Sequence, residues 1–310
     1  MTVLAPGIGY IDLKFRDVPG VIATAVLETD DGVLLVDPGP SVTVAHLTEE
    51  LATIGISLRD VSGILLTHIH LDHAGVTGLL MQEHTRIRLY VHERGAPHLV
   101  DPTKLLDSAR RLYGDGMDLL WGPFLPVPSE RITILRGGEK LDFGSKSLDV
   151  AATPGHASHH VCYFDSEYGI AFCGDVGGVR LAPLPSVLPP TPPPDIDIEL
   201  WKTSLARILE WSPTKLFLTH FGPVDDLPAA HLAKLQERLE RNADCVKRLM
   251  ETSLSDVERL QAFQADVTKD LLSENSEEDL QKYLKAAPID QCYLGLARYW
   301  TKTWARSKAT

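Results

Sequence analysis

Strong metal-ligating side chains crowd into one short segment at the end of an apolar run. The run Val61–Thr67 predicts a buried strand, and it leads directly into the sequence HIHLDHAG. His68, His70, Asp72 and His73 therefore lie within six residues. In an extended chain His68 and His70 point the same way, and we expect Asp72 and His73 on the first turn of the next helix. This density of imidazole and carboxylate groups predicts a site for zinc, iron or manganese.

Three further candidate ligands also stand just after predicted strands. His156, Asp175 and His220 each follow a short apolar run. The runs are Leu148–Ala152, Gly169–Cys173 and Lys215–Thr219, the last of which we expect to be the final strand of the chain. Loops at the carboxyl ends of strands meet at one edge of a sheet in α/β proteins, so we expect these side chains to converge with the first group.

Strands and helices alternate in the first part of the chain, which predicts an α/β architecture. Val21–Thr29 and Val33–Asp37 flank the turn signal Asp30-Asp31-Gly32 and are expected to pair as a hairpin. Seven prolines between Pro183 and Pro194 exclude a helix there, and we favour a solvated surface loop over a wall or lid above the site. From Leu227 onward only helical periodicity is present, predicting a helical appendix.

Composition narrows the class of protein. The 310 residues carry a formal net charge of −12, which disfavours nucleic acid as a partner. The four cysteines form no C-x-x-C pair, and the amino terminus resembles no secretory signal, so we expect a cytoplasmic protein. No run of eighteen apolar residues occurs, so we expect no membrane partner.

With these motifs in place, residues 20–225 resemble the metallo-β-lactamase-fold hydrolases, in the glyoxalase-II-like branch. The resemblance implies an αββα sandwich with a C-terminal helical appendix. We expect residues 1–225 to form the catalytic domain and residues 226–310 an α-helical region. We expect the appendix to cover the pocket, to form the face of a homodimer or only to complete the core. Its apolar stripes favour a packing role.

The resemblance also implies a role for each candidate ligand. One ion would be held by His68, His70 and His156, and the other by Asp72, His73 and His220. Asp175 would bridge them, and Asp37, in the sequence VDPG, would lie just outside the ligands. We expect two divalent ions, with zinc favoured and iron or manganese as alternatives.

Two such ions would share and acidify a water, giving a bridging hydroxide that attacks the substrate. Asp72 would hold this hydroxide as well as its metal. We expect a small-molecule ester, thioester or lactone as substrate, with His159 and Arg180 as candidate contacts. A glutathione thioester is disfavoured because the tail contains no basic cluster.

Other functions of the same fold stay open at this point. A nuclease or phosphodiesterase of the superfamily is disfavoured by the acidic charge. An iron-dependent oxidoreductase is a further alternative, although the oxygen-reducing branch usually has Glu where this chain has His70. A non-catalytic binding module typically lacks ligands that are all present here.

Overall fold

A computed structural model describes residues 1–181, 184–224 and 227–307. It contains a seven-stranded and a six-stranded sheet. The strands of the first sheet are β1 (Thr2–Ala5), β2 (Ile8–Asp12), β3 (Ala23–Thr29), β4 (Gly32–Val36), β5 (Val61–Leu65), β6 (Arg88–His92) and β7 (Ile132–Leu135). Those of the second are β8 (Lys140–Phe143), β9 (Lys146–Ala152), β10 (Val161–Asp165), β11 (Ile170–Phe172), β12 (Lys215–Leu218) and β13 (Gly222–Val224).

The helices lie outside the two sheets and at the carboxyl end of the chain. They are α1 (Val44–Thr53), α2 (Leu71–Ala74), α3 (Thr77–Glu83), α4 (Ala96–Val100), α5 (Thr103–Tyr113), α6 (Met117–Trp121), α7 (Ile198–Glu210), α8 (Pro228–Met250), α9 (Asp256–Leu272), α10 (Glu277–Ala286) and α11 (Ile289–Ser307). Within the described part of the chain, no helix has the length and apolar character needed to cross a membrane.

The strands of both sheets run in sequential order. In the first sheet each strand neighbours the next from β1 to β7, antiparallel as far as β4 and parallel from β4 to β7. The predicted hairpin is confirmed, since β3 pairs with β4 and Thr29 lies opposite Gly32. In the second sheet the order is β13-β12-β11-β10-β9-β8, with only β11 and β12 parallel. Lys215–Thr219 is therefore not the final strand, because β13 follows it along the edge of this sheet.

Alternation of side chains along the strands builds the layers. Leu34 of β4 faces the second sheet and packs in one buried cluster with Phe172 and Phe217. Its neighbour Leu35 faces the other way and packs with Leu47 of α1. The second sheet is covered in the same manner by α7. Helix, sheet, sheet and helix thus form four layers, which confirms the predicted αββα sandwich.

The C-terminal helices join the core of the second sheet rather than standing apart from it. Leu232 and Leu235 of α8 belong to the same buried cluster as Val176 and Leu218. Ser255 and Ser276 begin α9 and α10 by accepting hydrogen bonds from backbone N–H groups of the first turn. The helical appendix is confirmed, whereas the predicted boundary between residues 225 and 226 lies outside the described residues.

The central part of the proline-rich segment is packed into the fold, contrary to the solvated loop that we favoured, whereas Pro185 and Pro194 are exposed. Residues 186–191 are all buried. The Thr191 hydroxyl donates to the Cys292 carbonyl of α11 at 3.1 Å. A side chain on Gly295 would meet the Thr191 carbonyl at 1.9 Å, so α11 presses directly on this segment. Proline excluded regular structure here, but it did not exclude burial.

Candidate metal centre

The seven predicted ligands come from loops and turns at one edge of the sandwich, and the structure brings all seven together. His68 and His70 follow β5, and Asp72 and His73 lie on the short helix α2 as expected. The other three follow β9, β11 and β12 and are His156, Asp175 and His220. Their donor atoms form two groups, each with all its atoms within 4.8 Å of one another.

The first group joins three imidazoles and one carboxylate oxygen. Nδ1 of His70 lies 3.0 Å from Nε2 of His68 and 3.0 Å from Nε2 of His156. Oδ2 of Asp175 lies 3.3 Å from His156 Nε2 and 3.9 Å from His68 Nε2. Tetrahedral zinc with bonds of 2.0–2.1 Å places its ligand atoms about 3.3 Å apart, so this group has the size of a single ion site.

The second group is built from Asp72, His73 and His220. Oδ2 of Asp72 lies 3.2 Å from His220 Nε2 and 3.7 Å from His73 Nε2. The second carboxylate oxygen of Asp175 reaches this group, because its Oδ1 lies 3.1 Å from His73 Nε2 and 3.6 Å from His220 Nε2. Asp175 therefore faces both groups, one oxygen to each.

Hydrogen bonds on the far side fix which ring nitrogen faces the centre. Nδ1 of His156 donates to the Pro190 carbonyl at 2.9 Å, and Nδ1 of His220 donates to the Val21 carbonyl at 2.8 Å. The proton is on Nδ1 in each case, so the lone pair on Nε2 points inward. The proline-rich segment thus supplies part of the shell around the centre.

Asp37 lies beneath the centre and orients two more imidazoles through hydrogen bonds. Its Oδ2 accepts from His73 Nδ1 at 2.8 Å and from the hydroxyls of Thr67 and Thr219 at 2.7 and 2.8 Å. The Thr67 hydroxyl, having donated to Asp37, accepts from Nδ1 of His68 at 3.1 Å. Asp37 is fully buried and holds a positive φ of 50° directly after β4. It lies behind the donor groups, where the resemblance places it.

The electrostatics of the cluster favour anionic carboxylates, and they act differently on the imidazoles of the two groups. Burial alone would lower the pKa of His73 and of His220, but the carboxylates of Asp175 and Asp72 raise both above the usual value. Burial alone would raise the pKa of Asp72, but the adjacent His73 and His220 lower it to about 2. Burial alone would likewise raise the pKa of Asp175, and its histidine neighbours hold it well below the usual range. Burial and neighbouring histidines lower the pKa of His70 to about 4. Two carboxylates thus stay charged, and they draw positive charge to the second group, either as protons on His73 and His220 or as a divalent cation.

Two buried atoms in this cluster lack the partners that buried polar atoms normally have. His73 Nε2 and Asp175 Oδ1 lie 3.1 Å from each other, but neither makes a hydrogen bond of good geometry within the described residues. Leaving such atoms unpaired costs free energy, and lone pairs that converge on one point repel each other. A divalent cation in each group would give the unpaired atoms a partner and would offset the repulsion between the lone pairs. The donor set, five imidazoles and two carboxylates, suits zinc, iron or manganese.

The two candidate substrate contacts are placed differently. His159 lines a cavity of about 700 Å³ beside the donor groups, together with His70, Asp72 and Asp175. Its Nδ1 is buried without a hydrogen-bond partner in the described structure, and burial lowers its pKa to about 3. Arg180 is not among the residues that line this cavity, and its Nε donates to the Leu184 carbonyl at 3.3 Å.

Sequence reasoning missed the threonines that connect the site. Thr67 and Thr219 each precede a candidate ligand, and both hydroxyls donate to Asp37. The repeated Thr-His pair at two strand ends was a usable signal, because it places the same hydroxyl at the same offset twice. The Pro190 and Val21 carbonyls left no such signal, since any residue type offers that acceptor.

Comparison with known proteins agrees with this geometry. The sequence model of the metallo-beta-lactamase superfamily matches residues 17–220. The metallo-beta-lactamase fold-containing protein of Sulfurisphaera tokodaii is 26% identical over 232 residues, or 73% of this chain and 84% of that protein. The hydroxyacylglutathione hydrolase of Aeromonas hydrophila is 31% identical over 151 residues, or 48% of this chain and 44% of that protein. A metallo-beta-lactamase family protein of Thermus thermophilus has a solved structure similar over 98% of this chain and 96% of that chain, with a TM-score of 0.69 and 22% identity.

The chain belongs to the metallo-beta-lactamase superfamily. This membership confirms the family predicted from the histidine motif and the enzyme class of metal-dependent hydrolase. The two donor groups at the edge of this fold are the candidate metal centre of the chain.

Proposed function

We propose that this protein is a dinuclear metal-dependent hydrolase that cleaves a small ester, thioester or lactone. The observation that carries the proposal is the pair of donor groups joined by Asp175, whose two oxygens face one group each. The similarity to hydroxyacylglutathione hydrolases supports a carbonyl substrate.

In this proposal every ligand comes from the set already described. His68, His70 and His156 would hold one ion, Asp72, His73 and His220 the other, and Asp175 both. When bound, two such ions lower the pKa of a shared water towards neutrality and polarise a carbonyl oxygen. Zinc as the resident metal and a cytoplasmic location stay predictions.

The protein side chains orient the reactants around this centre. Asp72 is one of the proposed ligands that line the cavity, and 20% of its side chain is exposed. Its Oδ2 is directed at His220, so Oδ1 is the atom left to accept a hydrogen bond from the attacking water. His159 lines the same cavity and is placed to donate a hydrogen bond to the substrate. The water oxygen joins the carbonyl carbon, the bond to the leaving oxygen or sulfur breaks, and the leaving group takes up a proton.

Metal analysis combined with a substrate panel tests the proposal. We expect the purified full chain to bind about two divalent ions and to hydrolyse at least one neutral ester, thioester or lactone. Asp72→Asn should reduce turnover by about a hundredfold or more while the fold is retained, as monitored by circular dichroism. Asp165→Asn, a change at another buried carboxylate, is the matched control.

Several results would contradict the proposal. Turnover that survives complete removal of metal would exclude a metal-dependent mechanism. Cleavage of RNA or of a simple phosphodiester, with no carbonyl substrate accepted, would favour the nuclease alternative. Bound iron with oxygen consumption and no hydrolysis would favour the oxidoreductase alternative.

A further inference from the structure

The cavity beside the donor groups is bordered by positive charge that the proposed hydrolysis does not use. Five basic side chains line it, and we call them the cationic rim: Arg16, Arg94, Lys104, Arg111 and Lys285. They come from four separate parts of the chain, namely the turn before β3, the end of β6, helix α5 and helix α10. All are exposed at the surface except Lys285, which is half-buried.

The charge of the rim is not neutralised locally. Within residues 1–181, 184–224 and 227–307, none of the five forms an ion pair. Apart from the two proposed ligands, Asp195 is the one carboxylate among the described residues lining the cavity. It is engaged by Ser158, whose hydroxyl donates to it at 2.6 Å. In a chain of net charge −12, this cavity is a local site of positive potential.

Beneath the rim the wall of the cavity is apolar and aromatic. Phe15 stacks on Trp121, with ring centroids 5.5 Å apart and an interplanar angle of 11°. Tyr113 meets the same indole edge-on at 5.2 Å. Phe15 and Trp121 are buried in the fold, and all three residues line the cavity. An apolar group of the substrate would gain roughly 25 cal/mol for each Å² that it buries here.

We propose that the substrate is a thioester that joins an apolar acyl chain to a leaving group with several negative charges. This inference rests on the proposed function and narrows its substrate class. The aromatic wall would take the acyl chain, and the cationic rim would take the anionic leaving group. Water adds to the acyl carbon, the carbon–sulfur bond breaks, and the thiol leaves with a proton.

The arrangement favours a small polyanion over a nucleic acid. The five basic side chains of the rim border one cavity of about 700 Å³, which is the size of a small-molecule site. A nucleic acid would run beyond such a cavity onto the surface of a chain with 42 acidic and 30 basic residues. Repulsion there would offset much of the attraction at the rim.

Three thioesters with the same acyl chain test the role of charge. Decanoyl coenzyme A and decanoyl glutathione carry anionic leaving groups, whereas decanoyl-N-acetylcysteamine is neutral. With the metal-loaded full chain we expect kcat/KM for decanoyl coenzyme A to exceed that of the neutral thioester by about tenfold at low salt. This advantage should shrink when ionic strength rises from about 0.02 M to about 0.5 M.

Adjacent arginines on α5 provide a matched pair of variants. Arg111 belongs to the cationic rim, whereas Arg110 is exposed on the same helix, pairs with Asp107 and does not line the cavity. Arg111→Glu should lower the ratio of kcat/KM for the anionic over the neutral thioester by about tenfold. Arg110→Glu makes the same change of charge and should leave that ratio within about twofold of the wild type.

Binding of a thioether analogue gives a readout that does not depend on turnover. S-Decyl coenzyme A cannot be hydrolysed, and its affinity is measured by calorimetry on the full chain with and without metal. We expect about tenfold weaker binding to Arg111→Glu than to Arg110→Glu in both preparations.

Equal kcat/KM for anionic and neutral thioesters, or equal effects of the two variants, would overturn this inference while the proposed hydrolase stands. Failure to hydrolyse any ester, thioester or lactone would overturn the proposed function itself. Preferred binding and cleavage of single-stranded RNA, weakened by Arg111→Glu, would overturn both and assign the rim to nucleic acid.

Discussion

Replacing Asp37 with Asn should remove one ion from the centre and leave the other. In the native site Oδ2 of Asp37 accepts three hydrogen bonds, from His73 Nδ1 and from the hydroxyls of Thr67 and Thr219. Oδ1 accepts from the Thr67 backbone N–H at 2.8 Å. If the Asn side-chain oxygen keeps the hydrogen bond from the Thr67 backbone N–H, the Asn NH₂ group takes the place of Oδ2. It then faces the three groups that donate to Oδ2 in the native site. The threonine hydroxyls can rotate to accept from it, but His73 can do so only by moving its own proton to Nε2.

That proton would occupy the nitrogen that faces the second donor group. Loss of such an outer hydrogen bond typically weakens metal binding by about 10- to 100-fold, or about 1.4 to 2.8 kcal/mol. We expect the group of Asp72, His73 and His220 to lose its ion first, because only that group contains His73. The first group should be affected less, since its link to Asp37 passes through the Thr67 hydroxyl.

Zinc content after equilibration against buffered free metal measures this effect. The wild type should hold about two ions per chain, and Asp37→Asn about one at the same free concentration. Asp165→Asn is the control, since Asp165 is equally buried but lies at the far end of β10, about 13 Å along the strand from its start. If Asp37→Asn binds two ions with wild-type affinity, Asp37 does not set the protonation of His73 and the reasoning fails.

Three further outcomes are expected. Gly295→Ala should lower the free energy of unfolding in urea by about 3 kcal/mol, because the new Cβ would lie 1.9 Å from the Thr191 carbonyl. Gly→Ala in a helix usually raises the free energy of unfolding by about 1 kcal/mol, and such an increase here would contradict the contact. Burial lowers the pKa of His231 to about 4, so the neutral form stabilises the fold above about pH 6.5 and this stability is lost as pH falls towards 4. The stability difference between wild type and His231→Gln should therefore shrink by about 2 kcal/mol from about pH 7.5 to about pH 5, and a constant difference would contradict the shift. Zinc at about 100 times the Kd of a site should raise the free energy of unfolding of the apo protein by about 3 kcal/mol for each bound ion. Identical melting curves with and without zinc would argue against ion sites in the folded chain.

Local patterns predicted the elements that carry the donors. The apolar run before His68 and the turn at Asp30-Asp31-Gly32 each fix their structure within a few residues, so both were predicted correctly. The edge strand β13 was missed because Gly222-Pro223-Val224 is short and contains a proline, which only an edge position tolerates. The buried state of residues 186–191 was missed because burial there depends on α11, about a hundred residues away.

The cationic rim shows a different limit of sequence reasoning. The search for a basic cluster was confined to the tail, and the tail contributes only Lys285 to the rim. The other four members come from three distant segments, and two of them, Lys104 and Arg111, lie on α5. The spacing of Lys104 and Arg111 places them on one face of that helix, but only the folding of the chain brings Arg16, Arg94 and Lys285 beside them. The lack of a basic cluster in the tail therefore does not exclude an anionic leaving group.

The contact between α11 and the proline-rich segment has a consequence for the order of assembly. All seven donors occur in the chain by residue 220, whereas α11, which holds Thr191 beside the Pro190 carbonyl that orients His156, begins only at Ile289. A growing chain can thus expose every donor before the segment that orients His156 has its packing partner. Final shaping of the donor groups therefore awaits the synthesis of α11.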